Sequence, residues 1–217
     1  MARSRAAEFT HGGWKYRLVF PTATDHIARV IRQTGRFYES EMLADAATRL
    51  FFPVCAVDVG AHVGNHTLYF AGAMGMETIS FEPNPTNFQL LERNVTANGL
   101  AEQCALHNLA VGERAGRAES LDGKTDNSGT AHIVPSRTGS IRVVSLDRLL
   151  LAQPRIDLLK VDVEGHELAV IAGAVDMLRR HRPIVYVEAA QENFARLSER
   201  LGGLGYVAWK KFNATPT

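Results

Sequence analysis

Cys55-Ala-Val-Asp-Val-Gly-Ala-His-Val-Gly-Asn-His-Thr67 reads as a buried strand, a tight glycine turn and the first turn of a helix. Ala56, Val57 and Val59 are apolar, and Gly60 and Gly64 punctuate the turn. A second strand, Thr78-Ile-Ser-Phe-Glu-Pro83, ends in an acid, Glu82, 22 residues after Gly60. A glycine turn beside a helix N-terminus, followed roughly 20 residues later by an acid, suits a nucleoside cofactor. The turn lets a polar ligand approach the backbone, and the carboxylate accepts hydrogen bonds from two ribose hydroxyls. A dinucleotide fingerprint needs glycines at 60, 62 and 65, where this chain has Gly60, His62 and Asn65. Its motif is Asp-x-Gly-x-x-x-Gly, with Asp58 inside it. That acid repels a pyrophosphate but suits the amino group of a methionine moiety, so S-adenosylmethionine (SAM) is expected in preference to NAD.

From Val54 onward the chain alternates strand and helix patterns. Strands are expected near 54–59, 77–82, within 104–111, at 157–162 and at 184–188. A helix is expected at 65–73. The next helix is punctuated by Asn84 as its cap, Pro85 in its first turn and Gly99 after its end, with Phe88, Leu91 and Val95 as its apolar stripe. Leu168, Ile171, Ala172, Val175 and Leu178 share one side of a later helix. A helix at 191–201 and a final strand near 206–212 complete the core. Residues 112–147 interrupt the alternation with short extended pieces near 116–121, 130–135 and 140–146, before a short helix at 146–151. Ahead of this core, a strand at 14–20 and helices from His26 and from about Glu39 to Leu50 form an N-terminal extension over 1–53. The expectation is one domain over 1–217: an α/β, Rossmann-like, mostly parallel sheet with helices on both faces. Ligands bind such sheets beyond the carboxyl ends of the strands. Polar residues gather at those ends: Asp58 with the Gly60 turn, Glu82, Asn108, Asp162 with Glu164, and Glu188.

Composition narrows the function. The 217 residues are 46% hydrophobic and 22% charged, with a net charge of +1. That balance gives no global electrostatic case for nucleic acid or a membrane surface. Arginines are scattered without an aromatic platform, which argues against an RNA substrate. No run approaches the roughly 18 apolar residues of a membrane span. The basic N-terminus lacks an apolar segment after it. Cys55 and Cys104 lie far apart in sequence, Cys55 at the start of a buried strand. A cytoplasmic location is expected.

Asp58-Val-Gly-Ala-His-Val-Gly-Asn-His-Thr67, Phe81-Glu-Pro83, Asn127-Ser-Gly129 and Lys160-Val-Asp-Val-Glu-Gly-His-Glu167 together resemble the FkbM family of SAM-dependent methyltransferases. Gly35-Arg-Phe-Tyr-Glu39 and Phe212-Asn-Ala-Thr-Pro-Thr217 also resemble that family. The Lys-x-Asp-x-Glu-Gly-x-Glu element is the most specific piece. The resemblance implies a class I methyltransferase fold, a seven-stranded sheet with its last strand antiparallel. It also implies O-methylation of hydroxyls, often on sugars or natural products. Relatives usually continue into a further strand beyond the position of Thr217, so either the C-terminus is truncated or the sheet is completed differently.

In that context Glu82, with Pro83 beside it, is the expected ribose acid; its alternative role is to cap the following helix. Gly60, Ala61 and Gly64 are expected on the methionine side of the cofactor, and His62 and Asn65 beside its carboxylate. Asp58 either binds the cofactor amino group or ties down the turn. Asn108 is a candidate for the ribose or adenine. Methyl transfer is an in-line displacement on a cationic donor, so the enzyme must align the acceptor oxygen and help remove its proton. Asp162, Glu164 and His166 are the catalytic candidates, with Asp162 also beside the sulfonium. Tyr38, Glu39, Asn127 and Glu188 are candidates for the acceptor side. Asp162 with Glu188 is a possible Mg²⁺ pair. The rival functions are an NAD(P)-dependent oxidoreductase and a non-catalytic SAM-binding protein. The acceptor itself, beyond a hydroxyl of a small molecule or glycan, has no code in the sequence, and neither has the oligomeric state.

Overall fold

A computed structural model describes residues 5–121, 132–136 and 138–212. Five parallel strands form the central sheet. In chain order they are β3 (Cys55–Val59), β4 (Glu77–Phe81), β5 (Cys104–His107), β10 (Leu158–Val161) and β11 (Ile184–Val187). Their spatial order is β11-β10-β3-β4-β5. The order reverses between β3 and β10, so the carboxyl ends of these two strands flank the switch point at which such sheets bind ligands.

Alternation along the strands divides the core between the two faces. Ala56 and Leu158 face one side. There they meet α1 (His26–Thr34), α2 (Ser40–Arg49), α3 (Asn65–Leu68) with the π-helical turn Tyr69–Ala73, and α4 (Pro85–Ala97). Packed on the same side is an antiparallel hairpin of β1 (Ala6–His11) and β2 (Trp14–Val19), whose Leu18 is fully buried. Cys55, Val57, Val59, Leu159 and Val161 face the other side. There they meet α5 (Leu146–Leu150), α6 (Glu167–Ala172), α7 (Val175–His181) and α8 (Gln191–Gly202). Truncating a buried leucine such as Leu158 to alanine in such a core costs about 2–5 kcal/mol.

A second sheet stands beside the first. It comprises β6 (Ala110–Val111), β7 (Gly116–Leu121), β8 (His132–Pro135) and β9 (Ile141–Val144), in the order β6-β9-β7-β8. The three short extended pieces expected within 112–147 are thus three strands of one sheet.

Several elements differ from expectation. The central sheet has five strands among the described residues, not seven, and residues 206–212 form no strand. They run past β11 with Tyr206 donating to the Leu178 carbonyl and Lys210 paired with Asp45, which uses side chains rather than a backbone ladder. The helix expected across 168–178 divides into α6 and α7 around Gly173. A Cβ at Gly173 would meet the Gly112 carbonyl oxygen at 2.1 Å, so the chain bends where it packs against the turn after β6. The helix expected at 65–73 widens to π geometry after Leu68.

Candidate functional site

A cavity of about 1000 Å³ opens at the carboxyl ends of the central strands. That is the upper end of the volume of small-molecule sites, roughly 300–1000 Å³. Gly60, Glu82, Asp162 and Glu188, each the first residue beyond its strand, contribute to its wall. The N-terminal extension supplies His26 and Tyr38, whose rings meet edge to face at 5.9 Å. The second sheet closes the far side through Arg117 and Ile141.

The glycine turn is built for close approach. Gly60 has φ 79°, and a Cβ there would lie 1.7 Å from the Asp162 carbonyl oxygen. Any side chain would force β3 and β10 apart at the switch point. The N–H groups of Gly60 and Ala61 both donate to the Phe81 carbonyl, and that of Gly64 donates to Ala61. Gly64, at φ 98°, leaves no room beside Leu91. Gly60 therefore forms cavity wall, while Ala61 and Gly64 are buried behind it and hold the turn.

Glu82 is buried. One carboxylate oxygen accepts the Asn84 N–H at 2.8 Å and the other accepts the His62 N–H at 2.8 Å. It thus ties the Gly60 turn to the start of α4. Burial raises its pKa to about 7, despite the two backbone hydrogen bonds that favour its charge. Each oxygen keeps a lone pair, so capping the chain and accepting a diol are compatible roles. Asn108 donates to the Glu82 and Pro83 carbonyls at 2.8 and 3.1 Å. It shapes that strand end without lining the cavity, whereas Pro83 does line it.

Beneath the wall runs a polar row in strict register. Tyr186, Lys160, Asp58 and Ser80 are successive Cα partners across β11, β10, β3 and β4. Lys160 Nζ lies 3.2 Å from Asp58 Oδ1 and 3.4 Å from Asp162 Oδ2, and it donates to the Gly60 carbonyl at 2.9 Å. Burial by itself lowers a lysine pKa, but the negative charges of Asp58, Asp162 and Glu39 outweigh it and hold Lys160 above its ordinary value. Thr67 donates to the other Asp58 oxygen at 2.7 Å and lies 2.9 Å from the Ser80 hydroxyl. Asp58 is therefore fully buried beneath the turn and not on the cavity wall. The strand's alternation turns it toward the helices, where Lys160 and Thr67 engage its carboxylate.

Asn65 and Glu39 also stand behind the wall. Asn65 accepts the Tyr38 N–H at 3.0 Å and donates to the Tyr38 carbonyl at 3.1 Å, clamping the segment that carries Tyr38 into the cavity. Glu39, with φ 56°, pairs with His66 at 3.0 Å instead of capping α2. Burial alone raises the Glu39 pKa, but the His66 hydrogen bond and the charges of His66 and Lys160 bring it below the usual value. His62, Asp162, Glu164 and His166 all line the cavity, and His62 and Glu164 both adopt positive φ. Burial depresses the His62 pKa against the pull of Asp25 and Asp162. Asn127 lies outside the described residues. Among those residues, no group of three or more His, Cys, Asp or Glu is arranged to hold a metal. Asp162 is drawn to Lys160, so the Asp162–Glu188 pair does not fit Mg²⁺.

Lys160, Asn65 and His66 are positioned by partners distant in sequence, and His26 reaches the wall from the N-terminal extension. An Asp25 side chain accepting the Ala28 N–H caps α1 and sets His26 in place, a local signal that the sequence does carry.

Two curated relatives are similar over part of this chain. Hexuronic acid methyltransferase AglP of Haloferax volcanii is 28% identical over 56% of this chain and 50% of its own length. Methyltransferase 1 of Beauveria bassiana is 29% identical over 55% of this chain and 58% of its own length. The chain thus spans about half the length of the curated relatives it matches. Likeness to solved structures is looser. M. jannaschii TYW2 in complex with AdoMet gives a TM-score of 0.48 at 12% identity, over 94% of this chain and 75% of that one. Precorrin-6y C5,15-methyltransferase from Geobacter metallireducens gives 0.47 at 17% identity, over 77% and 71%. The Methyltransferase FkbM domain matches residues 58–208, from Asp58 of the buried polar row to beyond α8, and the chain belongs to that family.

Proposed function

We propose that the cavity binds SAM and that the chain transfers its methyl group to a hydroxyl of a small molecule or glycan. One observation carries this reading: the buried Glu82 carboxylate and the side-chain-free Gly60 turn share one cavity wall, joined through the His62 N–H. In this reading Glu82 receives the ribose diol while the methionine portion lies over Gly60 and beside His62. The sulfonium then points along the switch point toward Asp162. SAM supplies an electrophilic methyl group; the chain supplies position, exclusion of water and a destination for the acceptor proton.

The acceptor side is the wall formed by Asp162, Glu164, Glu188 and Tyr38. Carboxylates at that wall accept hydrogen bonds from hydroxyl groups, which favours a polyhydroxylated acceptor. The hexuronic acid named for the Haloferax relative supports a sugar. The test is transfer from methyl-labelled SAM to a panel of methyl hexopyranosides, hexuronates and simple phenols, with S-adenosylhomocysteine (SAH) release measured in parallel. SAH release matched by a labelled methyl ether is expected. Label on nitrogen or carbon, or bound cofactor with no transfer to any hydroxyl, contradicts the reading.

A further inference from the structure

We propose that Glu188 is the catalytic residue that takes the acceptor's proton; this rests on the methyl-transfer reading above and extends it. The carboxylates near the cavity differ in whether they already carry a partner. Glu82 spends one lone pair of each oxygen on the Asn84 and His62 amides. Asp162 is held by Lys160 at 3.4 Å, and Glu39 by His66 at 3.0 Å. Glu113, on the far side, pairs with Arg114 at 3.2 Å, and Glu164 is not without a partner either. Glu188 also lines the cavity, yet among the described residues its carboxylate has no hydrogen bond or ion pair. Its position is fixed from the backbone, because its N–H donates to the Val161 carbonyl at 2.9 Å. That bond sets it level with Asp162, one strand further from the ribose acid. A group one strand beyond the expected sulfonium is on the side from which an acceptor oxygen must approach for in-line attack.

The charges around Glu188 suit the task. Asp162, Glu164 and Lys160 face it from β10 and the following turn, and Glu39 from the segment ahead of α2. His26, His62 and His166 line the same cavity. Glu188 is exposed at the cavity mouth, and partial desolvation there, with the negative charges of Asp162 and Glu39, raises its pKa to about 7. A base is most effective when its pKa is near the working pH. In the step itself, the acceptor oxygen attacks the methyl carbon and a C–O bond forms. The S–CH₃ bond breaks with its electron pair passing to sulfur. The hydroxyl proton passes to a Glu188 oxygen. A methyl ether, neutral SAH and a protonated Glu188 result, and the carboxylic acid returns its proton to solvent through the open cavity.

Three measurements on wild type, E188Q and E188D test this. The first is SAH binding by calorimetry. The second is transfer to the same acceptor panel across pH. The third is titration of ¹³C-labelled glutamate carboxyls in the SAH complex, with the Glu188 signal identified by its loss in E188Q. The expected result is unchanged SAH binding, a Glu188 midpoint near 7, and a kcat about 100-fold lower in E188Q. The activity limb that falls below about pH 7 should vanish in E188Q and survive in E188D. A Glu188 midpoint in the ordinary carboxylate range, or E188Q turnover matching wild type with the same pH limb, overturns the proposal. Failure of wild type to bind SAH or to methylate any panel hydroxyl removes the methyl-transfer reading itself, and this proposal with it.

Discussion

Lys160 Nζ lies 3.2 Å from Asp58 Oδ1, with both side chains buried beneath the glycine turn. The pair sits mid-sheet, so it shapes the site from below instead of touching a ligand. Lys160 also holds the Gly60 carbonyl and Asp162, and one ammonium therefore fixes both strand ends at the switch point.

Removing one partner of a buried ion pair leaves the other charge uncompensated, at about 3–5 kcal/mol. Lys160→Met should lower stability to urea by that order. Adding Asp58→Asn should recover more than half of the loss, because it removes the stranded charge while Thr67 still has an oxygen to donate to. A double variant no more stable than Lys160→Met would show that the pair is not what the charge is for.

Gly60 and Gly35 both have positive φ, 79° and 64°, but only Gly60 is crowded. Nothing lies within 4 Å of a Cβ built at Gly35. Gly35→Ala should cost about 1 kcal/mol from backbone strain alone. Gly60→Ala should cost several times more and abolish SAH binding, since the β3–β10 junction must open. Thermal unfolding of the two variants side by side checks the contrast.

The pKa of Glu82 is about 7 when folded, against an ordinary 4.5. Between those values the folded chain holds a proton that the unfolded chain releases. The contribution to stability is therefore full below about pH 4.5, falls as pH rises through the window and is lost above about 7. It amounts to roughly 3 kcal/mol. Glu188 acts with the same sign. Urea unfolding from pH 5 to 8 should show stability declining for wild type and a shallower decline for Glu82→Gln.

Asn65 makes two hydrogen bonds to the Tyr38 backbone. Asn65→Ala should cost about 1–3 kcal/mol and speed hydrogen exchange at the Tyr38 amide, with weaker cofactor binding as the cavity wall loosens. Unchanged exchange at Tyr38 would rule out the clamp.

The sequence made the site's strand ends legible because each carries its own local contrast. Val59 to Gly60, Phe81 to Glu82 and Val187 to Glu188 pass from apolar to permissive or polar in one step. Asn84 and Pro85 likewise announce α4, and Asn84 accepts the Thr86 and Asn87 amides as a cap should. What stayed hidden depends on partners far along the chain. Asp58 reads equally as a ligand group or as a tie for the turn until Lys160, 102 residues later, is seen beside it. Asn65 reads as a contact to the cofactor's carboxylate until it is found holding Tyr38. β1, Ala6–His11, buries only Ala7 and Phe9 and shows its strand character through pairing with β2. Residues 206–212 have strand-like composition, including exposed Val207 and Trp209, yet dock by side chains such as Arg49 over the Trp209 ring.

Calorimetric titration of the chain with SAH, repeated on Glu82→Ala with NADH as the control ligand, decides whether the cavity is a SAM site. Micromolar SAH binding to wild type, its loss in Glu82→Ala, and no NADH binding are expected. A folded wild-type chain that binds no SAH, or binds NADH in its place, would contradict a SAM site there.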